Sequence, residues 1–211
     1  MSTVASTSLC NRVERLIEPP LCVIVLIFFA PVMLLVALLI KLQDGGPILF
    51  GHTRIGYGGR SFKCLKFRSM VVDADARLQA LLQSDPGARI EWERDHKLRH
   101  DPRVTAFGDF LRRSSLDELP QLFNVLRGEM SLVGPRPIVE AEKARYGRYF
   151  DLYCKVRPGI TGLWQVSGRS SVSYRRRVAL DVAYSRGRCL KLYFRILFAT
   201  APAVLARRGA H

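Results

Sequence analysis

The sequence SSLDELPQLFNVLRGEMSLVGPRP, residues 114–137, sets the organisation of this 211-residue chain. It opens on an acid pair, Asp117 and Glu118, with Arg112 shortly before the pair and Arg136 between two prolines near the end. Carboxylates held among fixed cations suit chemistry on phosphate groups with a metal ion. The stretch therefore raises the hypothesis of a phosphate-handling site, which the rest of the chain has to support.

The same residues also fit the start of an ordinary helix. Ser115 and Glu118 have the spacing of a capping box, and acidic residues are favoured in a first turn because they complement the helix dipole. Pro120 is tolerated only near such a turn, and Gly128 suits the position after a helix end. Taken alone, the acid pair is better explained by this structural role.

Rigid turns that present arginine follow the acid pair. The GPRP turn carries Arg136, the VRPGITG turn carries Arg157, and Gln165 and Arg169 come shortly afterwards. Proline stiffens the backbone on either side of these arginines, and the planar guanidinium matches a phosphate group. Repeated arginines on stiff turns are unexpected for a plain solvated surface, so they favour a phosphate site.

The charge is strongly positive and unevenly placed. The formal net charge is +15, of which residues 1–41 carry only +1 and residues 42–211 carry +14. Such a balance implies an anionic partner, which can be nucleic acid, an anionic membrane surface or a phosphorylated substrate. The five cysteines are scattered without metal-ligand spacing, which favours a reducing, cytoplasm-facing location.

An uncharged apolar run of 22 residues, Pro19 to Ile40, lies near the N-terminus. As a helix it would measure about 33 Å, close to the thickness of a bilayer's hydrocarbon core. Pro31, next to Ala30 near the middle, removes a backbone donor and predicts a kink. We therefore predict a re-entrant membrane helix that breaks at Ala30 and Pro31, with a kinked transmembrane helix as the alternative.

The remaining elements predict a single α+β domain over residues 44–211, behind a membrane segment over residues 1–43. Two short strands, Ile48–Phe50 and Phe62–Phe67, are expected to form a hairpin, whereas the charged residues 88–105 are expected to be irregular. Helices are predicted over Val71–Gln83, Tyr174–Tyr184 and Leu190–Leu205. The last of these helices can either lie in the membrane interface or pack on the core.

Four segments occur in order behind the apolar run: LKFRSM, RRSSLDELPQLFNVLRGEMSLVGPRP, VRPGITGLWQVSGR and RVALDVAY. In these segments the chain resembles the bacterial sugar transferase family, the monotopic polyprenyl-phosphate phosphoglycosyl transferases. The resemblance runs from about residue 15 to residue 205. It implies transfer of a sugar-1-phosphate, here a hexose such as galactose or glucose, from a UDP-sugar to undecaprenyl phosphate with release of UMP. The exopolysaccharide-type members are the most similar.

The resemblance also implies roles for individual residues. Asp117 would carry a covalent phosphosugar, with Glu118 beside it, and both are candidate ligands of Mg²⁺. The candidates for binding substrate phosphates are Lys66, Arg112, Arg136, Arg157, Gln165 and Arg169. The chain departs from the family's pattern at Ala30, where serine is usual before the proline, and at Tyr193, where aspartate is common.

The expected fold is α+β and mostly helical, with a small antiparallel β element, a re-entrant membrane helix and interfacial amphipathic helices. The expected location is the bacterial cytoplasmic membrane, with the catalytic domain facing the cytoplasm and with self-association left open. Two other hypotheses are a membrane-tethered nucleic-acid-binding module and a non-catalytic scaffold. No zinc or RNA-binding motif supports the first, and an intact acid pair argues against the second. We therefore predict an enzyme without a nucleic-acid partner.

Overall fold

Helices make up most of the chain in the computed structural model, which describes residues 2–95, 98–168 and 172–205. The helices are α1 (Ser2–Asp44), α2 (Ala74–Ser84), α3 (Pro86–Asp95), α4 (Ala106–Ser114), α5 (Gln121–Leu126), α6 (Lys143–Tyr146), α7 (Phe150–Cys154), α8 (Leu163–Val166), α9 (Tyr174–Gly187) and α10 (Leu190–Leu205). The strands are β1 (Leu49–Ile55), β2 (Ser61–Phe67), β3 (Ser131–Val133) and β4 (Gly159–Thr161). The predicted mostly helical α+β fold is thus confirmed.

The predicted antiparallel hairpin is formed by β1 and β2. Phe50 pairs with Lys66 and Ile55 with Ser61, so the first strand is longer than the predicted Ile48–Phe50. Strand β1 continues to Ile55 because each of its residues is paired with a residue of β2 as far as the connecting turn. Residues directly opposite in an antiparallel pair share a face of the sheet, and this register fixes which side chains accompany Lys66.

The second strand pair, β3 with β4, is parallel and was not predicted. Ser131 pairs with Gly159, and the two backbones approach so closely at Gly134 that a Cβ on Gly159 would lie 2.0 Å from the Gly134 nitrogen. Only glycine permits that approach. Three-residue strands leave too little periodicity to be recognised in a sequence, yet this pair lays the GPRP and VRPG turns side by side.

The segment predicted to be irregular, residues 88–105, is helical in its first part because α3 extends from Pro86 to Asp95. Proline is favoured at a first helical position, and the Asp85 carboxylate accepts hydrogen bonds from the Gly87 and Ala88 amides at 2.8 and 3.1 Å. The Asp-Pro-Gly sequence therefore begins a helix as well as ending α2. The predicted helix over Val71–Gln83 is confirmed as α2, shifted by a few residues.

Helix α1 contains the whole apolar run and continues without interruption through Ala30 and Pro31. Among the described residues it is the one helix long and apolar enough to cross a membrane. One side packs on the rest of the protein through the buried Cys22, Val36 and Ile40. The other sides carry exposed large apolar side chains, namely Leu16, Ile17, Val23, Ile24, Ile27, Phe28, Val32, Leu34, Leu35, Leu38, Leu39 and Leu42. A break of α1 in a bilayer stays a prediction.

A buried carboxylate fastens the start of the apolar run to the strands. Glu18 is 1% exposed and accepts hydrogen bonds from the Leu132 amide at 2.9 Å, the Tyr193 hydroxyl at 3.1 Å, the Arg157 Nη2 at 2.9 Å and the Ser131 hydroxyl. Tyr193, which departs from the family's pattern, thus donates to a carboxylate that an aspartate would repel. This network joins α1, β3 and α10 at one point.

A second buried carboxylate, Glu14, lies one turn earlier in α1. It is fully enclosed and forms an ion pair with Arg188, which follows α9. The Cys10 thiol donates to its Oε1 at 3.1 Å, and Arg157 Nη2 lies 3.8 Å from its Oε2. The two carboxylates and two guanidiniums therefore balance in charge, as burial of ions requires.

The two C-terminal helices match their predicted ranges closely, and α10 packs on the core. Tyr193 and Ile196 are 1% exposed within the main apolar cluster, whereas Phe198 is 73% exposed. The core-packed alternative is thus confirmed for one face of α10. Its exposed residues, Lys191, Arg195 and Phe198, combine positive charge with an apolar ring, and the interfacial location stays a proposal.

Replacing Glu18 by glutamine should destabilise the attachment of α1. The amide would remove the closer charge partner of Arg157 and leave only the Glu14 carboxylate at 3.8 Å. Breaking a buried ion pair in this way costs about 3–5 kcal/mol. We expect the thermal unfolding midpoint of the detergent-solubilised protein to fall by roughly 6–20 °C. Arg15→Gln, an exposed change on the same helix, is the control and should shift the midpoint little. Equal midpoints for the two variants would contradict a structural role for Glu18.

Candidate active site

The acid pair lies on a 3₁₀ turn, Leu116–Glu118, between α4 and α5. The predicted capping box is wrong, because Ser115 adopts a left-handed conformation with φ of 59° and its side chain caps nothing. Its amide instead donates to the Arg112 carbonyl at 3.2 Å and closes α4. Gly128 follows α5 with φ of 75°, as predicted. The capping box no longer explains the acid pair, although both acids do lie in the first turn of the 3₁₀ segment that precedes α5.

Lys66 of β2 lies between the two carboxylates. Its Nζ is 3.3 Å from Asp117 Oδ2 and 2.7 Å from Glu118 Oε1. Asp117 is only 5% exposed, whereas the Glu118 side chain is 37% exposed. The hairpin thus supplies a predicted site residue from a distant part of the chain, and the two acids differ in their access to solvent.

The acid pair and Lys66 influence one another's ionisation. Burial raises the pKa of Asp117, and the Lys66 ammonium opposes this rise. Burial alone would lower the pKa of Lys66, but Glu118 and Asp117 outweigh it, so the net pKa is raised and the ammonium stays charged. Asp117 is therefore a poorly solvated carboxylate whose ionised form depends on a neighbouring cation.

Further cations line the same region. Arg112 is exposed on α4, its Nε donates to the Ser69 hydroxyl at 2.9 Å, and its charge lowers the pKa of Asp117. Arg54 of β1, which sequence reasoning did not select, donates to the Pro137 carbonyl at 3.3 Å and lies 3.7 Å from Glu142. The alternation of β1 combined with the hairpin register would have identified Arg54 as sharing a face with β2 side chains.

The pKa of the buried Cys64 thiol responds to several charged residues around the candidate site. Burial raises its pKa, and the positive charges of Lys66, Arg54 and Arg136 all lower it. Glu118 acts on it in the opposite sense. Cations from β1, β2 and the GPRP turn therefore lie within electrostatic reach of one side chain, beside the acid pair.

Arg136 and Arg177 both lie over the Trp164 indole. Their guanidinium carbons are 5.7 and 4.3 Å from the ring centroid. The Nε atoms of both arginines and the Nε1 of Trp164 are buried without a hydrogen-bond partner among the described residues. Arg136 was predicted, whereas Arg177 and Trp164 were not, because their meeting depends on how α8 and α9 pack.

Two other predicted phosphate ligands are engaged elsewhere, and one lies outside the described residues. Arg157 donates to Glu18 and to the Met130 carbonyl at 3.1 Å, so it supports the attachment of α1. Gln165 donates through Nε2 to the Ile160 carbonyl at 2.9 Å. Arg169 is not among the residues that the structure describes. For these three residues, contact with substrate stays a prediction.

Asp181 of α9, in the RVALDVAY segment, is a buried acid that sequence reasoning assigned no role. It is 2% exposed and accepts a hydrogen bond from the Tyr146 hydroxyl at 2.7 Å. Burial raises its pKa to about 7, against the opposing effects of Tyr146, Arg177 and Arg136. Asp181 is thus a buried carboxyl near Arg136 and Arg177 that changes its ionisation around neutral pH.

The described residues contain no group of three or more histidine, cysteine or acidic side chains arranged to hold a metal ion. Asp117 and Glu118 are consequently the carboxylates available for a cation at this site. Mg²⁺ is commonly held by only one or two carboxylates together with substrate phosphates, and Mg²⁺ binding by this pair stays a prediction.

Comparison with known proteins identifies the chain's relatives. The model of the bacterial sugar transferase family matches residues 9–207. An exopolysaccharide production protein, ExoY, of Sinorhizobium fredii is 49% identical over 198 residues, which are 94% of this chain and 88% of that protein. The undecaprenyl-phosphate galactose phosphotransferase of Salmonella typhimurium is 52% identical over 189 residues.

The relatives differ in length. The matched region is 90% of this chain but 40% of the Salmonella protein. The UDP-glucose:undecaprenyl-phosphate glucose-1-phosphate transferase of Xanthomonas campestris is 40% identical, over 90% of this chain and 38% of that protein. The chain thus spans nearly all of some relatives and about two fifths of others, and the sequence predictions of an enzyme and of its family are confirmed. It belongs to the bacterial sugar transferase family, a family of sugar-phosphate transferases.

Proposed function

We propose that this protein transfers a hexose-1-phosphate from a UDP-sugar to undecaprenyl phosphate and releases UMP, as a membrane step of exopolysaccharide assembly. The observation that carries the proposal is the buried Asp117 carboxylate, paired with Lys66 and lying beside a group of arginines. The names of the relatives support the lipid acceptor and a galactose or glucose unit.

In the first step, a carboxylate oxygen of Asp117 attacks the sugar-bearing phosphorus of the donor. The bond from that phosphorus to the bridging oxygen breaks, and the oxygen leaves with its electron pair on UMP. Because Asp117 is 5% exposed, few water molecules surround the carboxylate. A poorly solvated carboxylate kept ionised by a cation is a suitable nucleophile, and Lys66 is that cation.

In the second step, an oxygen of the lipid phosphate attacks the phosphorus of the aspartyl phosphosugar. The bond between phosphorus and the Asp117 oxygen breaks, and the carboxylate is regenerated beside Lys66. Splitting one displacement into two allows a soluble donor and a membrane-bound acceptor to use the same carboxylate in turn. Arg112 would neutralise phosphate oxygens in both steps, and Arg136 would neutralise those of the donor in the first step.

Mg²⁺ fits the site through Asp117 and Glu118, completed by phosphate oxygens of the donor. The metal would supply positive charge to the diphosphate. Lys66 Nζ already lies within 3.3 Å of both carboxylates, so the ammonium shares these ligands and limits how much of each carboxylate a metal can use. Glu118 is the more exposed of the two acids. Its carboxylate can therefore release Lys66 to solvent and contact a metal ion more easily than the carboxylate of Asp117 can.

We further propose that α1 enters the membrane from the cytoplasmic side and returns, with Pro31 at the bend. Its exposed apolar faces need a nonpolar surrounding, and its buried face keeps the helix against the catalytic residues. Large apolar side chains on α4 and α5, namely Phe110, Phe123 and Leu126, are also exposed. They would place the acid pair near the bilayer surface, where the phosphate of a polyprenyl lipid lies.

Replacing Asp117 by asparagine should abolish both the covalent intermediate and UMP release. The amide has nearly the same shape but is a much weaker nucleophile, so we expect a loss on the order of 10³-fold or more. The measurement is UMP release from UDP-galactose and UDP-glucose with Mg²⁺ and undecaprenyl phosphate. Asp109→Asn, an exposed change on α4, should leave the rate near that of the unaltered protein. Substantial turnover by the Asp117 variant would remove it as the nucleophile.

Replacing Lys66 by methionine should move the acidic limb of the pH–rate profile to higher pH. Lys66 lowers the pKa of Asp117, so without it the carboxylate takes up its proton at a higher pH as the solution is acidified. The rate of UMP release across pH 5–9 tests this shift. Lys63→Met removes an exposed lysine of the same strand that contacts Thr53, and it should leave the limb in place. Coincident limbs for both variants would contradict the role of Lys66.

A further inference from the structure

Arginines and aromatic rings form a series of pairwise cation–π contacts near the candidate active site. Arg145 lies 4.6 Å from the Tyr174 ring centroid, Arg177 lies 5.4 Å from the same ring and 4.3 Å from the Trp164 ring, and Arg136 lies 5.7 Å from the Trp164 ring. Guanidinium groups stacked on rings are held by cation–π attraction. The inner part of this series, Arg136, Trp164 and Arg177, is therefore rigidly positioned, and we name it the arginine–tryptophan cluster.

The arginine–tryptophan cluster presents donors that the described residues do not use. Nε of Arg136, Nε of Arg177 and Nε1 of Trp164 are each buried and unpartnered. Leaving a buried donor without an acceptor costs about 1–3 kcal/mol, and more for a charged group. Three such atoms on two cations and one indole match a single ligand with several negatively charged oxygens.

The electrostatic balance of the cluster points in the same direction. Burial and the nearby charge of Arg136 both lower the pKa of Arg177, while Tyr174, Glu142 and Asp181 act against this. Glu142 accepts from the Val139 amide, and Asp181 accepts through Oδ2 from the Tyr146 hydroxyl, while Asp181 Oδ1 has no hydrogen-bond partner among the described residues. Neither carboxylate accepts a hydrogen bond from the unpartnered Nε atoms of Arg136 and Arg177. An additional anion would therefore relieve the mutual repulsion of the two guanidiniums.

The surroundings distinguish between the two phosphate-bearing substrates. The cluster lies where α8 and α9 pack together, and the exposed Arg175 and Arg176 begin α9 beside it. The exposed apolar side chains near the acid pair, such as Phe110 and Phe123, belong instead to α4 and α5. A lipid tail fits the apolar helices, whereas a soluble, highly charged nucleotide fits the arginine-rich end of α9.

We propose that Arg177, together with Arg136 and Trp164 Nε1, binds the nucleotide-side phosphate of the donor, the group that leaves with UMP. This rests on the function proposed above and adds Arg177 and Trp164 as substrate-binding residues. Lys66 and Arg112 are left to the phosphorus that Asp117 attacks and to the lipid phosphate. The cluster would thus hold the leaving group while the acid pair carries the transferred unit.

Arg177→Gln and Arg176→Gln are a matched pair, because each removes one positive charge from the same turn of α9. We expect the dissociation constant for UDP, measured by isothermal titration calorimetry, to rise by roughly 10- to 100-fold in Arg177→Gln, corresponding to one charge-assisted hydrogen bond. It should change less than about threefold in Arg176→Gln, as expected for an exposed charge. The apparent KM for the UDP-sugar should follow the same order, with the KM for undecaprenyl phosphate unchanged.

Trp164→Phe separates binding from packing. Phenylalanine keeps an aromatic ring beside the arginines but removes the Nε1 donor, so UDP affinity should fall while the thermal unfolding midpoint stays within a few degrees. A purely structural stack would leave UDP affinity unchanged. Trp92→Phe, which alters the other tryptophan of the chain, should not weaken UDP binding.

The inference and the proposed function can fail separately. If the unaltered protein binds UDP but releases no UMP from any UDP-sugar, the proposed reaction fails. If UMP is released and Arg177→Gln binds UDP as tightly as Arg176→Gln, the assignment of Arg177 fails. A selective loss of affinity for undecaprenyl phosphate in Arg177→Gln would also overturn it, because the cluster would then serve the acceptor.

Discussion

A buried aspartate can remain ionised only beside a cation, and the contact between Lys66 and Asp117 meets that requirement. The contact joins residues far apart in sequence, so the β1–β2 hairpin, the end of α4 and the 3₁₀ turn must all hold their positions. Ser115 adopts a left-handed conformation to end α4 at this point, which turns the acid pair towards the hairpin. The backbone geometry here serves the site at some conformational cost.

The Glu18 network connects this site with the apolar helix. Glu18 accepts hydrogen bonds from Ser131 and Leu132 of β3, and the GPRP turn that carries Arg136 follows that strand directly. The depth and direction of α1 are therefore linked to the position of a phosphate-binding candidate through a few residues of backbone. Helix α1 and strand β3 are therefore packed together, although the sequence predicted residues 1–43 as a separate membrane segment.

The sequence revealed the features that are local. The acid pair, the stiff arginine turns, the hairpin and the long helices could all be predicted from neighbouring residues. Features that depend on distant contacts were missed or misjudged. Ser115 matched a capping box but ends the preceding helix, because a short motif does not contain the hydrogen bonds that α4 imposes. Arg157 lies in a proline-containing turn like that of Arg136, but it forms an ion pair with Glu18. Glu18 is far away in the sequence, so the local sequence did not indicate this partner.

Arg177 is a site candidate that the local sequence could not identify. It follows two other arginines at the start of α9, and nothing in that run separates the three. Packing does so, because only the position facing α8 brings a guanidinium over Trp164. The neighbouring arginines remain exposed. The parallel pair β3–β4 has a similar effect on the turns. The close approach of Gly134 and Gly159 lays the two turns that carry Arg136 and Arg157 side by side, yet the two arginines have different partners. Residue type supplies the cations, but the long-range packing of the chain decides which of them are left unpaired for a ligand.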